Sequence, residues 1–353
     1  MSEAVPPSPA SARLPASFRL RGGEAMAARL IAAAGLSLLS AALLVALSGH
    51  SPLAAFGAMA LGAVGSPHQI GVGLNRATPY LLAGSGVAIC FRAGVINIGA
   101  EGQIALGGVG AAAVALAWPS GASALSALAA LIGAAAFGAV WAGLATAIHL
   151  GRRVHEVLAT LLLNFVALLM VQQALAGPLG QFGAGFLQSP QLPAESWLWK
   201  APEFKAHVGF LIALAAAAAL SVVLWLTPFG FAVRVAGQSR QAAAYAGFSM
   251  PAITWGVMLL AGALAGLAGG VEVLGVHHRL IEGFSLGFGF KAVTVALLGA
   301  LEPLAVVPAS LFVGLLEAGS LSMQRQIGVP SALVVVIEGV TMLFVLAATA
   351  RRT

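Results

Sequence analysis

The chain contains no aspartate; all 11 of its acidic residues are glutamate. An aspartyl site is therefore excluded. Cysteine occurs once, as Cys90, so neither an internal disulfide nor a thiolate metal cluster forms within the chain. Cys90 closes an apolar run and reads as a buried structural thiol. Lysine occurs at 200, 205 and 291 only, each time followed by alanine, so there is no G-x-x-x-x-G-K-[ST] loop to cradle a nucleotide. There is no H-E-x-x-H, and the adjacent pair His277–His278 lacks a third ligand nearby. No seryl or cysteinyl triad has support in the motifs. The reading assigns no catalytic residue, no metal and no cofactor.

Charge is the largest shortage. Charged residues make up 8% of 353, against about a quarter in a soluble domain. Apolar residues make up 60%, and the mean hydropathy is +0.98. So few charges cannot cover a water-facing surface, and the chain reads as an integral membrane protein. The formal net charge of +6 does not point to nucleic acid, because the basic residues lie between apolar blocks. There they act as orientation signals, since Lys and Arg concentrate on the cytoplasmic side.

What is present is a series of apolar runs. A helix needs about 20 apolar residues to cross roughly 30 Å of hydrocarbon. Candidate spans are 30–48, 73–91, 103–118, 124–148, 157–176, 207–226, 252–274, 286–301, 303–318 and 328–350, with 51–66 as a re-entrant or interfacial piece. The expectation is an all-α polytopic bundle of about ten spans with both termini cytoplasmic. Residues 1–29, rich in Pro, Ser, Ala and Arg, are expected to form a disordered cytoplasmic tail, and 30–350 a transmembrane domain. Ten crossings put Arg92, Arg152–Arg153, Arg234, Arg240 and Arg351–Arg352 inside, with Lys200, Lys205, Arg279 and Arg325 outside against the bias.

The inner segment 227–251 opens at Pro228 and closes before Pro251. Within it SRQAAAYAGF is expected to form a short amphipathic helix capped by Ser239. An ordinary surface helix and a docking element are equally compatible with that pattern. Glycine is abundant at 44 residues, and GALAGLAGG places Gly262, Gly266 and Gly270 four apart, a column for close helix contact.

Polar groups within apolar surroundings are the functional candidates. FRAGVINIGAEGQIALGG, residues 91–108, carries Arg92, Asn97, Glu101 and Gln103. Gly94 is placed to end one helix before VINIGAEGQ starts the next. Breaks at membrane depth survive only against protein or a wet cavity. Glu101 has three readings here: a pair with Arg92, a place at the start of its own helix, or ligand contact. Asn164 and Gln172 lie eight apart on one helical face and serve either a polar ligand or a neighbouring helix. GFSLGFGFKAVTVALLG, with Lys291, repeats the plan of a Gly-rich turn, a charge and an apolar run.

Three stretches carry a family resemblance: TPYLLAGSGVAICFRAGVINIGAEGQIALGG (78–108), PFGFAVRVAGQSRQAAAYAGF (228–248) and GFGFKAVTVALLGALEPLAVVPASLFVGLLEAG (287–319), with GVPSALVVVIEGV (328–340) behind them. The chain resembles permease subunits of ABC importers in the branched-chain and ribose-type superfamily, especially the nucleoside and simple-sugar permeases. The resemblance implies an inner-membrane pathway subunit without an ATPase site of its own. It implies two ABC ATPase domains on the cytoplasmic side, a second permease subunit (a paralogous chain) and a periplasmic or lipoprotein substrate-binding protein. It makes 229–248 the coupling helix, with Arg234, Gln238, Arg240, Tyr245 and Phe248 as coupling residues. Asn97, Glu101, Asn164 and Gln172 are then the expected pathway residues for a nucleoside. A simple sugar is the alternative cargo, and an ion-coupled transporter or a non-transporting membrane protein the alternative of another class. Lys291 departs from the family pattern and either tunes substrate preference or snorkels to an interface.

Overall fold

The computed structural model describes residues 16–118, 123–285 and 287–349. Among them every regular element is helical, apart from two isolated bridges, Lys200 with His207 and Gln188 with Ile281. The chain begins with α1 (Ala16–Leu47) and α2 (Pro52–Val64), which meet at a bend of 119°. Ser51 caps α2, and Pro52 stands at its first position, where a missing N–H is harmless. Residues 16–29 of the expected tail are thus the start of α1, and residues 1–15 lie outside the described ones.

The centre of the bundle is α3 (Pro67–Arg92), in which every residue from Ala77 to Cys90 is buried. Around it stand α4 (Ala100–Ala117), α5 (Ser123–Arg152), α6 (Glu156–Ala176), α7 (Gly209–Leu226) and α10 (Met250–Glu272), the last prolonged by a π-helical turn over Val273–His277. Between α7 and α10 lie two short helices, α8 (Pro228–Gln238) and α9 (Arg240–Tyr245). The chain ends in α11 (Phe288–Leu298), α12 (Pro303–Ile327) and α13 (Ser331–Thr349). The main core gathers α3, α4, α5, α7, α10 and α11, with Tyr80, Leu81, Ile89 and Ile104 fully enclosed. A second cluster, with Val45, Ala55, Met323 and Ile337, joins α1, α2, α12 and α13. Cys90 is buried, its Sγ 3.4 Å from the Val257 carbonyl.

Among the described residues, seven helices are long and apolar enough to cross a membrane, or eight if the bent α1–α2 pair is one span. The boundaries expected near the C-terminal end are corrected. In place of spans 286–301 and 303–318 there is an 11-residue helix, α11, and a 25-residue helix, α12. At 1.5 Å per residue α11 covers roughly 16 Å, about half the hydrocarbon thickness. The apolar run of the second span ends at Ala318, but the helix continues through more polar residues to Ile327. Pro308 lies inside α12 and does not shorten it, while Gly299 and the left-handed Ala300 and Leu301 end α11 early.

Small residues set the distances between the central helices. A Cβ added at Gly262 or Gly266 would run into the α5 backbone at Gly138 and Ala134, and one at Gly270 into the Ala134 side chain. The glycine column of α10 therefore faces α5 of the same chain. On α10's other sides Gly269 lies against Ile104 and Gly108 of α4, and Ala261 against Gly86 of α3. With lipid outside, this contact supplies packing where the hydrophobic effect between helices is absent.

Replacing Gly266 by Val is expected to separate α10 from α5, and overpacking of this kind costs about 1–3 kcal/mol or more. The check is the thermal midpoint and monodispersity of the detergent-purified chain; an unchanged midpoint would show that the two helices are not in close contact.

Candidate functional site

The broken stretch between α3 and α4 is ordered by polar groups that satisfy its own backbone. Gly94, at φ +71°, ends α3, and the Val95 N–H bonds back to the Cys90 carbonyl at 3.0 Å. Asn97 is fully buried. Its Oδ1 accepts from the Gly99 N–H at 2.8 Å, and its amide pairs reciprocally with that of Gln103 at 3.3 Å both ways. Across from it on α6, Asn164 donates to the Ile98 carbonyl and accepts from the Gly102 N–H, both at 2.8 Å. Thr160, one turn earlier, accepts from the Ile98 N–H at 3.3 Å.

Glu101 lies where the first turns of α4 and α11 meet. One carboxylate oxygen accepts from the Gly287 N–H at 3.1 Å and the other from the Gly289 N–H at 2.8 Å. Those are N–H groups of α11, whose N-cap, Gly287, has no side chain to cap with. Gly289 allows the approach, because a Cβ there would collide with the backbone of Ala100 and Glu101. The carboxylate thus has N–H donors and the positive ends of two helices around it. Of the three readings of Glu101, the pair with Arg92 is not formed. Arg92 instead binds Glu302 at 2.9 Å, at the turn between α11 and α12.

Of the four expected pathway residues, Asn97, Glu101 and Asn164 are brought together and hold backbone groups. Gln172 is not with them. Eight helical residues separate it from Asn164 by roughly 12 Å along the α6 axis. It donates to Glu282 at 2.6 Å and lines a cavity of about 100 Å³ with Phe284 and Ser285.

The expected coupling residues occupy one end of the bundle. Ser239 caps α9 as expected, its hydroxyl accepting from the Ala242 N–H at 3.2 Å. However, residues 228–238 form a second helix, α8, started by Thr227 and Pro228, which the loop reading did not include. Gly237 of α8 lies directly on the Arg92 carbonyl, and Arg240 of α9 donates to the Gly94 carbonyl at 2.9 Å. Arg234 donates to the Leu224 carbonyl at 2.8 Å and stacks on Trp225, 4.6 Å from its centroid, while the Trp225 indole donates to Glu302 at 2.7 Å. Phe248 packs edge-on against Phe231. Gln238 is exposed, and Tyr245 projects with 93% of its surface accessible.

At the other end, residues 177–208 fold back onto the close of α10. Leu192 N–H bonds to the His278 carbonyl at 2.9 Å and Leu198 N–H to that of Leu274 at 3.2 Å. His278 Nδ1 donates to the Leu274 carbonyl at 3.0 Å, which leaves Nε2 to accept from Lys200 at 3.1 Å; Trp197 stacks on the ring. Glu272, His277 and the buried His207 complete the surroundings. Burial, then the neighbouring Lys200, lowers the His278 pKa, and burial lowers that of His207 to about 4.

The sequence reading singled out Lys291 but not its partners. Lys291 of α11 bonds to Glu317 of α12 and, at 3.0 Å, to Glu338 of α13; Tyr80 of α3 donates to Glu317 at 2.9 Å. Lys291 is thus paired within the bundle and does not snorkel. The signal was available: Glu317 and Glu338 are ionisable residues inside apolar runs.

Comparison with known proteins follows the same outline. The family described as "Branched-chain amino acid transport system / permease component" matches residues 69–346. The guanosine ABC transporter permease protein NupP of Bacillus subtilis is 33% identical over 90% of this chain and 92% of its own length. A glucose ABC transporter permease protein of Haloferax volcanii is 36% identical over 84% of this chain and 80% of its own. A second guanosine permease of Bacillus subtilis, NupQ, is 24% identical over 70% of this chain and 80% of its own. No solved structure matches the chain significantly.

Two outcomes are expected from this geometry. Glu101→Leu orphans the N–H groups of Gly287 and Gly289, at about 1–3 kcal/mol each, whereas Glu101→Gln keeps one acceptor and loses less; equal melting of both variants would contradict the arrangement. For the 177–208 segment, the docked histidines hold fewer protons than free ones. Docking is thus full above the ordinary histidine value near 6.5 and weakens as pH falls from there towards about 4. Limited proteolysis of this segment is expected to accelerate several-fold across that window, and a pH-independent rate would refute it.

Proposed function

This chain belongs to the permease-component family of branched-chain amino acid transport systems, and on that premise we propose that it forms the membrane pathway of an ATP-driven importer whose cargo is a nucleoside. As a multi-pass membrane protein it contributes the pathway and performs no covalent chemistry. Two ABC ATPase domains dock on α8–α9 from the cytoplasm, and the chain resides in the inner membrane. A paralogous permease completes the pore, and a binding protein delivers cargo to the face formed by residues 177–208. The observation that carries this reading is the paired helix α8–α9. It projects Tyr245 from the bundle while Arg240 ties it to the turn at Gly94.

The likeness to a guanosine permease over nearly the full length supports a nucleoside. The matches to two guanosine permeases of one organism support a heterodimer. A monosaccharide is the second reading, favoured by the slightly higher identity to a glucose permease. Both cargoes are neutral and rich in hydroxyl groups.

In the assembled complex, Arg240→Ala with Tyr245→Ala is expected to lower uptake at least tenfold while ATP hydrolysis and membrane insertion persist. The check is radiolabelled guanosine uptake beside ATPase rate in vesicles. Uptake that stays coupled in the double variant, or uptake that follows an ion gradient without ATP, would defeat the assignment.

A further inference from the structure

We propose that the groove between α11 and α13 is a cargo-binding station, in which Lys291 and Glu338 bind the hydroxyl groups of a ribose or hexose ring. This rests on the transport reading above and names the chemistry of its pathway. The groove has a volume of about 390 Å³, within the range of small-molecule sites, and Lys291, Glu338, Phe290 and Thr294 line it among apolar residues.

The ionic cluster behind the groove has two sides. Tyr80 and Glu317 close it from within. Lys291 keeps 26% of its side chain accessible, and Glu338 only 5%. Packing alone does not account for such a cluster, since apolar residues of similar volume generally stabilise a buried site as well as an ion group does. Ionisable side chains within spanning helices instead face a bundle interior or a pathway.

The chemistry selects the cargo. One lysine and two glutamates leave a formal charge of −1. A branched-chain amino acid is a zwitterion, whose carboxylate would lie against the two glutamates and whose ammonium would compete with Lys291 for them. A neutral diol does neither: it accepts from the Lys291 ammonium, which has three N–H donors with two taken up by Glu317 and Glu338, and it donates to the carboxylate. Phe290, 44% exposed, adds an aromatic ring to the lining, a group on which a flat base can pack.

The test uses the full complex of both permeases, ATPase and binding protein in vesicles. Guanosine, glucose and leucine are the probes, and uptake per ATP hydrolysed is the readout. Lys291→Met and Glu338→Gln are expected to lower that ratio at least tenfold for the transported probe, with leucine not transported. Phe290→Ala leaves the ion cluster intact and is expected to reduce guanosine transport several-fold more than glucose transport. Photoactivated 8-azidoguanosine is expected to label α11 or α13 of the unmutated complex, a measurement independent of variant folding. A complex that moves guanosine or glucose but is insensitive to all three substitutions, or is labelled only elsewhere, overturns this inference alone. Preferred leucine uptake overturns it as well. A complex that moves neither guanosine nor glucose overturns the cargo reading and this inference with it.

Discussion

The arrangement depends on one carboxylate. Glu101 belongs to α4 but completes the first turn of α11, a helix that opens with glycines and has no capping side chain of its own. A short helix with open N–H groups is unstable beside lipid, because no water replaces the missing partners. With Glu101 in place, the Gly-rich approach to α11 becomes a definite structure. Gly287 deprives α11 of a capping side chain, and Gly289, two residues on, lets the α4 backbone approach closely enough to provide the substitute. Asn97 and Asn164 do the same for the break before α4, so two interrupted segments are held by amides and a carboxylate in the centre of the bundle.

Much of this was legible in the residues. The scarcity of charge and the length of the apolar runs specify a helical membrane protein, and Gly94 and Ser239 act where their conformational and capping preferences place them. The breaks were visible as clusters of glycine and polar residues. Partners were not visible. Arg92 and Glu101 are nine positions apart and of opposite charge, yet each pairs with a residue far along the chain, Glu302 and the α11 backbone. Local spacing has no access to such contacts. For the cluster of Lys291, Glu317, Glu338 and Tyr80, the ionisable residues stood out within apolar runs, but their pairing did not, as the members come from four helices.

The polar groups divide by depth of involvement. Those of the first signature are bonded to the protein's own backbone or to other side chains, which suits an anchor. The lysine and glutamate beside α13 border open volume, which suits contact with a solute. A polar residue in a spanning helix is therefore read best by asking what its remaining donors and acceptors face.

The tie between Arg240 and the Gly94 carbonyl has a mechanical meaning. From Gly94 to Glu101 the chain is short, and its amides and carbonyls are gripped by side chains along much of its course. It is a short, side-chain-braced connection between α9 and the α4–α11 junction, with no long helix lying between them.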